Sequence, residues 1–339
     1  MNLRFQPGAL LGAAALFFAI VAAKTDSGPS RGLLLVANKG DHTLSIVDPA
    51  ARKQVGTVEE SGVTGHEVIA SPDGKTAYVP IYGDAGVGRA GTDGTAIDVI
   101  DIAARKRVAT IDLGKGERPH CPLFGPDGRL YVTTEISNTI TVIDPKTNKV
   151  VEQIPTGEKE SHMLVLTRDG KRAYTSNVGP GTVSVIDLAA RKVLTKIAVA
   201  EKAQRVALSV DEKWLFTADQ VKPRLAVIDT GDNTVKQWIE LPGRAYGTAP
   251  TPDGKTLVVV LIGTNQVGLV DLGTMKLTDT LDVPKIPQEV IVEPSGRYAY
   301  VSCDQSRQVA VVDLEKKKVD TLIETGPGTD GLAWAAGAP

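Results

Sequence analysis

Residues 121–155, CPLFGPDGRLYVTTEISNTITVIDPKTNKVVEQIP, contain four short apolar runs separated by three polar clusters. Runs rich in Val, Ile, Leu, Thr and Tyr predict β-strands, and Pro-Asp-Gly, Ser-Asn-Thr and Lys-Thr-Asn are typical of turns. These residues therefore predict a meander of four short antiparallel strands.

The same unit recurs along the chain. At seven positions with successive spacings of 53, 43, 43, 42, 42 and 42 residues, an apolar run ends in Val-Asp or Ile-Asp: Asp48, Asp101, Asp144, Asp187, Asp229, Asp271 and Asp313. A self-similar four-strand unit of about 40 residues is typical of a propeller blade. We therefore predict an all-β fold, a seven-bladed β-propeller with four antiparallel strands in each blade.

The ends of the repeat region carry one incomplete unit each. Residues 33–38 correspond to the second strand of a unit, whereas residues 331–334 correspond to a lone first strand. Pairing of these two strands would close the ring and remove two exposed sheet edges. We expect the last strand of the chain to join the N-terminal blade.

The N-terminal residues differ from the repeats. Arg4 precedes an apolar run over residues 9–23, and Val21 and Ala23 place small residues before a cleavage site, which predicts a signal peptide over 1–23. The run is shorter than the roughly 20 residues of a membrane span, so a permanent membrane anchor is not expected. A polar tether, 24–32, then leads into one propeller domain, 33–339. We expect a periplasmic or secreted monomer.

Composition narrows the function classes. The 38 Lys and Arg residues nearly balance 40 Asp and Glu residues, so no nucleic acid is expected as a partner. Cys121 and Cys303 fall in different blades, where a disulfide is not expected. The chain has no Cys-x-x-Cys-His motif, so no haem c is expected, and no phosphate-binding loop, so no nucleotide is expected.

Counting back six positions from each turn that follows the first strand gives one residue in every blade. We call this set the mouth column; its members are His66, His120, His162, Gln204, Tyr246, Gln288 and Asp330. Every member is polar, and the repeat places all seven where the innermost strands begin, at one mouth of the central channel. The column predicts a functional site at that mouth.

Three neighbouring histidines allow several kinds of chemistry. His66, His120 and His162 could together hold zinc, copper or iron, because imidazole is a common neutral ligand for these metals. The same side chains could instead form a polar channel lining, bind an anion or act directly in acid–base chemistry. Gln204, Tyr246, Gln288 and Asp330 would complete the binding site for a small polar ligand.

Residues beside the mouth column suggest an enzymatic alternative. Glu67 and Arg205 each follow a column residue, and with Tyr246 they could act as acid–base or anion-stabilising groups. The segment between Tyr82 and Ile97 is about ten residues longer than its equivalents and emerges on the same face. It predicts either a lid over the site or a tolerated surface insertion.

The second strands read AYVPI at Ala77, LYVTT at Leu130, AYTSN at Ala173 and AYVSC at Ala299. In these motifs the chain resembles the YVTN-repeat β-propeller family of extracytoplasmic bacterial and archaeal proteins. The resemblance implies the propeller fold and allows binding modules, surface proteins, lactonases and subunits of redox enzymes. We expect a propeller that binds a metal, a small polar ligand or a partner protein at the mouth. A metal-assisted hydrolase or lyase, lactonase-like, is the alternative.

Overall fold

The computed structural model describes residue 1 and residues 28–338. The expected signal peptide after residue 1 and the first part of the tether lie outside these residues. In the described part, seven four-stranded antiparallel sheets form the blades of a β-propeller, as the repeat predicts. One short 3-10 helix, Asp304–Ser306, interrupts the β-structure there.

The strands follow one another along the chain, blade by blade. Blade 1 contains β1 (Gly32–Asn38), β2 (Thr43–Asp48) and β3 (Lys53–Glu59), and blade 2 contains β4 (Ile69–Ala70), β5 (Thr76–Gly83), β6 (Asp93–Asp101) and β7 (Lys106–Asp112). Blade 3 contains β8 (Pro119–Phe124), β9 (Leu130–Thr134), β10 (Thr139–Asp144) and β11 (Lys149–Pro155), and blade 4 contains β12 (Ser161–Leu166), β13 (Arg172–Asn177), β14 (Thr182–Asp187) and β15 (Lys192–Ala198). Blade 5 contains β16 (Ala203–Leu208), β17 (Trp214–Asp219), β18 (Arg224–Asp229) and β19 (Thr234–Glu240), and blade 6 contains β20 (Ala245–Pro250), β21 (Thr256–Leu261), β22 (Gln266–Asp271) and β23 (Lys276–Asp282). Blade 7 contains β24 (Pro287–Val292), β25 (Tyr298–Cys303), β26 (Gln308–Asp313) and β27 (Lys318–Glu324), and β28 (Thr329–Ala336) is the innermost strand of blade 1.

The ring closes as expected. β1 pairs with β28 in an antiparallel register that runs from Gly32 opposite Ala336 to Asn38 opposite Thr329. The C-terminal strand thus completes blade 1, and both strands gain partners for edges that would otherwise be open.

The seven Val-Asp or Ile-Asp positions have a common structural role. Each Asp carboxylate ends the third strand of its blade and accepts a backbone N–H hydrogen bond of 2.7–2.9 Å from the next turn. Such Asp-capped turns satisfy backbone donors that strand pairing leaves unpaired. The repeat in the sequence is therefore the repeat of one turn.

The apolar core lies between the faces of adjacent blades. Third-strand residues such as Val142, Val185 and Val227 are fully buried there, because a strand in the middle of a blade is covered on both faces. Cys121 and Cys303 are free, buried thiols in blades 3 and 7. Within residues 28–338, no helix has the length and apolar character needed to span a bilayer.

Candidate functional site

The mouth column occupies equivalent places in the blades. In six blades its member is the second residue of the innermost strand, and in blade 2 His66 lies just before β4. The strand pairing is interrupted at or beside the column residue in those six strands, for example between Ser161 and Met163 around His162. A bulge bends the strand and re-aims a side chain, here towards the channel mouth.

The three histidines of the column are close neighbours. The ring centroids of His120 and His162 are 3.6 Å apart with planes tilted by 33°, and those of His66 and His120 are 5.7 Å apart. His120 and His162 are only 2% and 3% exposed, and the Nδ1 atom of each is buried without a hydrogen-bond partner in the described part. The sequence therefore predicted the proximity of these rings correctly.

Tyr82 fills the space between the histidines. Its ring centroid lies 4.7 Å from that of His66, 5.1 Å from that of His120 and 5.8 Å from that of His162. Its hydroxyl donates a hydrogen bond to the carboxylate of Glu135. Burial raises the pKa of Tyr82, and the Glu135 carboxylate raises it further, so the phenol stays protonated.

The histidines are held in their neutral form. Burial lowers the pKa of His66 to about 4, although the Asp330 carboxylate opposes the shift. Burial, reinforced by the adjacent imidazoles, holds the pKa of His120 well below its ordinary value, and burial with the Arg205 cation does the same for His162. The mouth therefore presents uncharged imidazoles at neutral pH.

The expected three-histidine site for zinc, copper or iron is wrong. The lone pairs of an imidazole lie in its ring plane, so two rings stacked 3.6 Å apart with a tilt of 33° do not both direct a lone pair at one ion. Among the described residues, no group of three or more His, Cys, Asp and Glu side chains is arranged to hold a metal. The alternative function, a metal-assisted hydrolase or lyase, required this metal site and therefore has no support from it.

On the other side of the channel, a single arginine contacts side chains of several blades. The Arg205 guanidinium donates to Glu67 Oε1 at 2.7 Å and lies 3.7 Å from Glu289 Oε1 and 3.6 Å from Asp330 Oδ1. Its carbon Cζ lies 4.7 Å from the centroid of the Tyr246 ring. Arg205 of blade 5 therefore touches blades 1, 2, 6 and 7 across the axis.

Backbone conformation places this arginine. Arg205 has φ of 63°, in the left-handed region that side-chain-bearing residues rarely adopt, and it is 4% exposed. Its Nε atom is buried without a hydrogen-bond partner in the part of the chain that the structure describes. The charge network around Arg205 offsets this local cost, because strained residues persist only where their surroundings fix them.

The three residues expected to serve an enzyme lie together. Burial raises the pKa of Glu67 well above its ordinary value even though Arg205 opposes the shift, and burial also raises the pKa of Tyr246. Tyr246 accepts a 2.9 Å hydrogen bond from Gln204 Nε2. Glu67 and Arg205 form an ion pair with each other. The catalytic role of the three residues stays a prediction.

Asp330 links the column to a residue that sequence reasoning missed. Lys39 Nζ lies 3.1 Å from Asp330 Oδ2 and 3.2 Å from Asp304 Oδ2. Burial acts to raise the pKa of Asp330, but the Lys39 ammonium and the Arg205 guanidinium outweigh it and the pKa is lowered. Gln288 is 8% exposed at the equivalent position of blade 7.

Lys39 and Tyr82 belong to a second set of equivalent positions. Each member of this set lies at the end of the second strand of its blade or directly after it. We call the set the second-strand ring; its members are Lys39, Tyr82, Glu135, Val178, Gln220, Ile262 and Asp304. The spacing of the repeat could have located all seven, since the ring has the same period as the mouth column.

The chain is similar to a known family, although not to individual curated proteins. Residues 125–335 match the family described as the cytochrome D1 heme domain. No curated protein gave a significant sequence match. The family finding corrects the cofactor expectation, because the missing Cys-x-x-Cys-His motif does not remove haem from consideration in a haem-domain family.

Three solved structures share the fold. Hydrazine synthase from Kuenenia stuttgartiensis superposes with a TM-score of 0.72 at 21% identity, covering 88% of this chain and 99% of that chain. A protein of unknown function from Desulfotomaculum acetoxidans gives 0.75 at 12% identity, with 91% and 100% coverage. Dihydro-heme d1 dehydrogenase NirN in complex with DHE gives 0.67 at 14% identity, with 92% and 77% coverage.

These structural likenesses establish a common propeller architecture and nothing about the ligand of this chain. The YVTN resemblance led to the correct fold class, but the family whose model matches the chain is a different family. Because its matched segment covers more than half of the sequence, the chain belongs to the cytochrome D1 heme domain family.

Proposed function

We propose that this propeller binds a haem-type tetrapyrrole at the mouth lined by the mouth column. The observation that carries the proposal is the pair of buried, neutral imidazoles, His120 and His162, whose Nδ1 atoms have no partner among the described residues. A buried nitrogen without a hydrogen bond is costly, and a ligand that uses it offsets that cost.

The donor set suits a haem better than a free metal ion. The macrocycle itself supplies four nitrogen ligands to its iron, so the protein needs to provide only one or two axial groups. Stacked histidines that do not surround a bare ion could still hold a haem through one imidazole. His120 or His162 would hold the group, and its iron would supply redox and ligand-exchange chemistry when bound.

Other residues at the mouth would support a large, flat, anionic ligand. Lys39 and Arg205 are two cations beside the imidazoles, and a ligand carboxylate could interact with them by replacing a protein partner such as Asp330. Tyr82 and Tyr246 provide aromatic surface on which a conjugated ring can lie. Gln204, Gln288 and Asp330 would contact the ligand's polar edge.

Location and processing belong to the same proposal. The apolar run over residues 9–23, followed by the small residues Val21 and Ala23, supports export and cleavage after Ala23. We propose that the mature protein acts in the periplasm or outside the cell, as a monomer without a membrane anchor. An enzymatic step by Glu67, Tyr246 and Arg205 on the bound ligand is a separate hypothesis.

Titration with hemin, followed by the Soret absorbance, tests the binding. We expect saturable one-to-one binding that weakens at least about tenfold in His120→Ala or His162→Ala, since losing an imidazole that holds the haem would cost on the order of 1.4 kcal/mol or more. His42→Ala is the matched control, because His42 is an exposed turn residue on the same face. Equal affinity in all four proteins, or no binding, would refute the proposal.

A further inference from the structure

The insertion at residues 83–95 has its own folded shape on the mouth side of blade 2. Asp84 Oδ1 accepts a 2.6 Å hydrogen bond from the Thr92 amide, and the Arg89 amide donates to the Gly86 carbonyl at 3.0 Å. Most of its side chains are exposed, and only Ala85 among residues 84–93 is buried. The insertion is therefore a compact loop without an apolar core of its own.

Two buried side chains of blade 3 hold this loop. Arg118 and Glu135 are each 4% exposed and are joined through Nη1 and Oε1 at 3.3 Å. Arg118 donates from Nη2 to the Arg89 carbonyl at 2.7 Å and from Nε to Asp93. Glu135 Oε1 accepts the Gly88 amide at 3.0 Å. The pair thus contacts the loop at three separate points.

The same glutamate also fixes the ring that lies on the histidines. Glu135 Oε2 accepts the hydroxyl of Tyr82, whose amide donates to the Thr64 carbonyl at 2.9 Å where the loop begins. The Tyr82 ring then contacts His120 and His162, which are almost fully buried. The Glu135 carboxylate therefore accepts hydrogen bonds both from the loop and from Tyr82, the side chain that covers the imidazoles.

We propose that the 83–95 insertion is a latched cover over His120 and His162, with the Arg118–Glu135 pair as the latch that controls ligand access. Opening breaks a few polar contacts and exposes little apolar surface, so the cover belongs to the low-stability part of the fold. Glycines at 83, 86, 88, 91 and 94 allow the backbone changes that opening requires. The inference rests on the proposed function only for the identity of the ligand that enters.

Glu135→Gln tests the latch with an almost isosteric change. The amide keeps one acceptor oxygen for the three groups that donate to the carboxylate, Gly88 N–H, Arg118 Nη1–H and Tyr82 O–H, and it removes the negative charge that pairs with Arg118. We expect the rate of diethyl pyrocarbonate modification at His120 and His162, read by peptide mass spectrometry, to rise at least about tenfold. Exposed His42 should react at an unchanged rate in every protein.

A second variant and a control make the outcome decisive. In Gly88→Ala the exposed tip of the loop is strained, because φ of 67° is a backbone conformation that side-chain-bearing residues rarely adopt, and the new Cβ would also lie 2.6 Å from Glu160 Oε1. It should also raise modification, and it decides the question if circular dichroism shows that Glu135→Gln does not fold. Glu201→Gln, an exposed glutamate of blade 5, should behave as wild type.

Two results would overturn the cover. One is wild-type modification of His120 and His162 at the rate of His42, and the other is unchanged protection in both Glu135→Gln and Gly88→Ala. Hemin is then added to the same proteins: with a working latch, its association rate constant should increase in parallel with the modification rate. Failure of hemin to bind any of them would refute the proposed function, whereas the chemical modification would still decide the cover.

Discussion

Removing the guanidinium at the centre of the channel should cost the protein much of its stability. In Arg205→Met, Glu67, Glu289 and Asp330 keep their buried positions but lose the cation that lies 2.7–3.7 Å from them. Breaking a buried ion pair by removing one partner costs about 3–5 kcal/mol, because the remaining charges are left without compensation.

The expected change in melting temperature follows from the size of the domain. An unfolding entropy of about 2.1 cal/mol/K per residue gives roughly 0.65 kcal/mol/K for a domain of about 310 residues. A loss of about 3–5 kcal/mol then lowers the melting temperature by roughly 5–8 °C. Differential scanning calorimetry or thermal circular dichroism measures this directly.

The deficit of Arg205→Met should also depend on pH. Without the cation, burial and mutual repulsion raise the folded-state pKa of the carboxyl groups above their unfolded values. A raised pKa contributes stability that is present below the unfolded pKa and is lost as pH rises through the folded pKa. The variant should therefore recover part of its deficit when the pH is lowered from about 8 to about 5.

The control is the same substitution at an exposed pair. Arg168 lies 3.3 Å from Glu212, but its side chain is 72% exposed, so Arg168→Met should cost no more than about 1 kcal/mol. If Arg205→Met melts within about 1–2 °C of wild type, or if its deficit is the same at both pH values, the charge network does not stabilise the channel as argued.

Further outcomes are expected from the same structure. Hemin affinity should persist at about pH 5, since burial keeps His120 and His162 neutral well below the ordinary histidine pKa; a loss between about pH 6 and 7 would contradict their burial. Deleting residues 331–339 removes most of β28 and should lower the melting temperature far more than a terminal trim, whereas a shift within about 2 °C would mean that β1 does not need this partner. Intact-mass measurement of the secreted or periplasmic protein should give a chain that starts at Lys24, and a mass that retains Met1 would exclude cleavage.

Much of the fold was predictable because one turn repeats. The Asp at each of the seven repeat positions caps the turn between the third and fourth strands, so its period indicated the number of blades and the length of each. The mouth column followed from the same period. The proximity of the column's members to one another was predicted correctly, since all seven positions occupy equivalent places at the start of the innermost strands.

The chemistry of the site was less accessible. Sequence spacing brings His120 and His162 to adjacent blades, but it does not tell whether their rings converge on an ion or stack at 3.6 Å, and the metal prediction failed there. Lys39 and Tyr82 were not predicted although they follow the repeat, because they lie at the end of the second strand and not at the start of the first. The fixation of the insertion by Arg118 depends on tertiary contacts that no local pattern contains.

The guanidinium of Arg205 also affects how the propeller unfolds. In a ring of repeats, each unit normally interacts only with its two neighbours, which lets single units fray independently. Arg205 adds contacts from blade 5 to Glu67 of blade 2 and Asp330 of blade 1, which are not its neighbours. Loosening any of these blades therefore disturbs a hub that the others share. The propeller is expected to unfold as one cooperative unit, with coincident transitions for all of its blades.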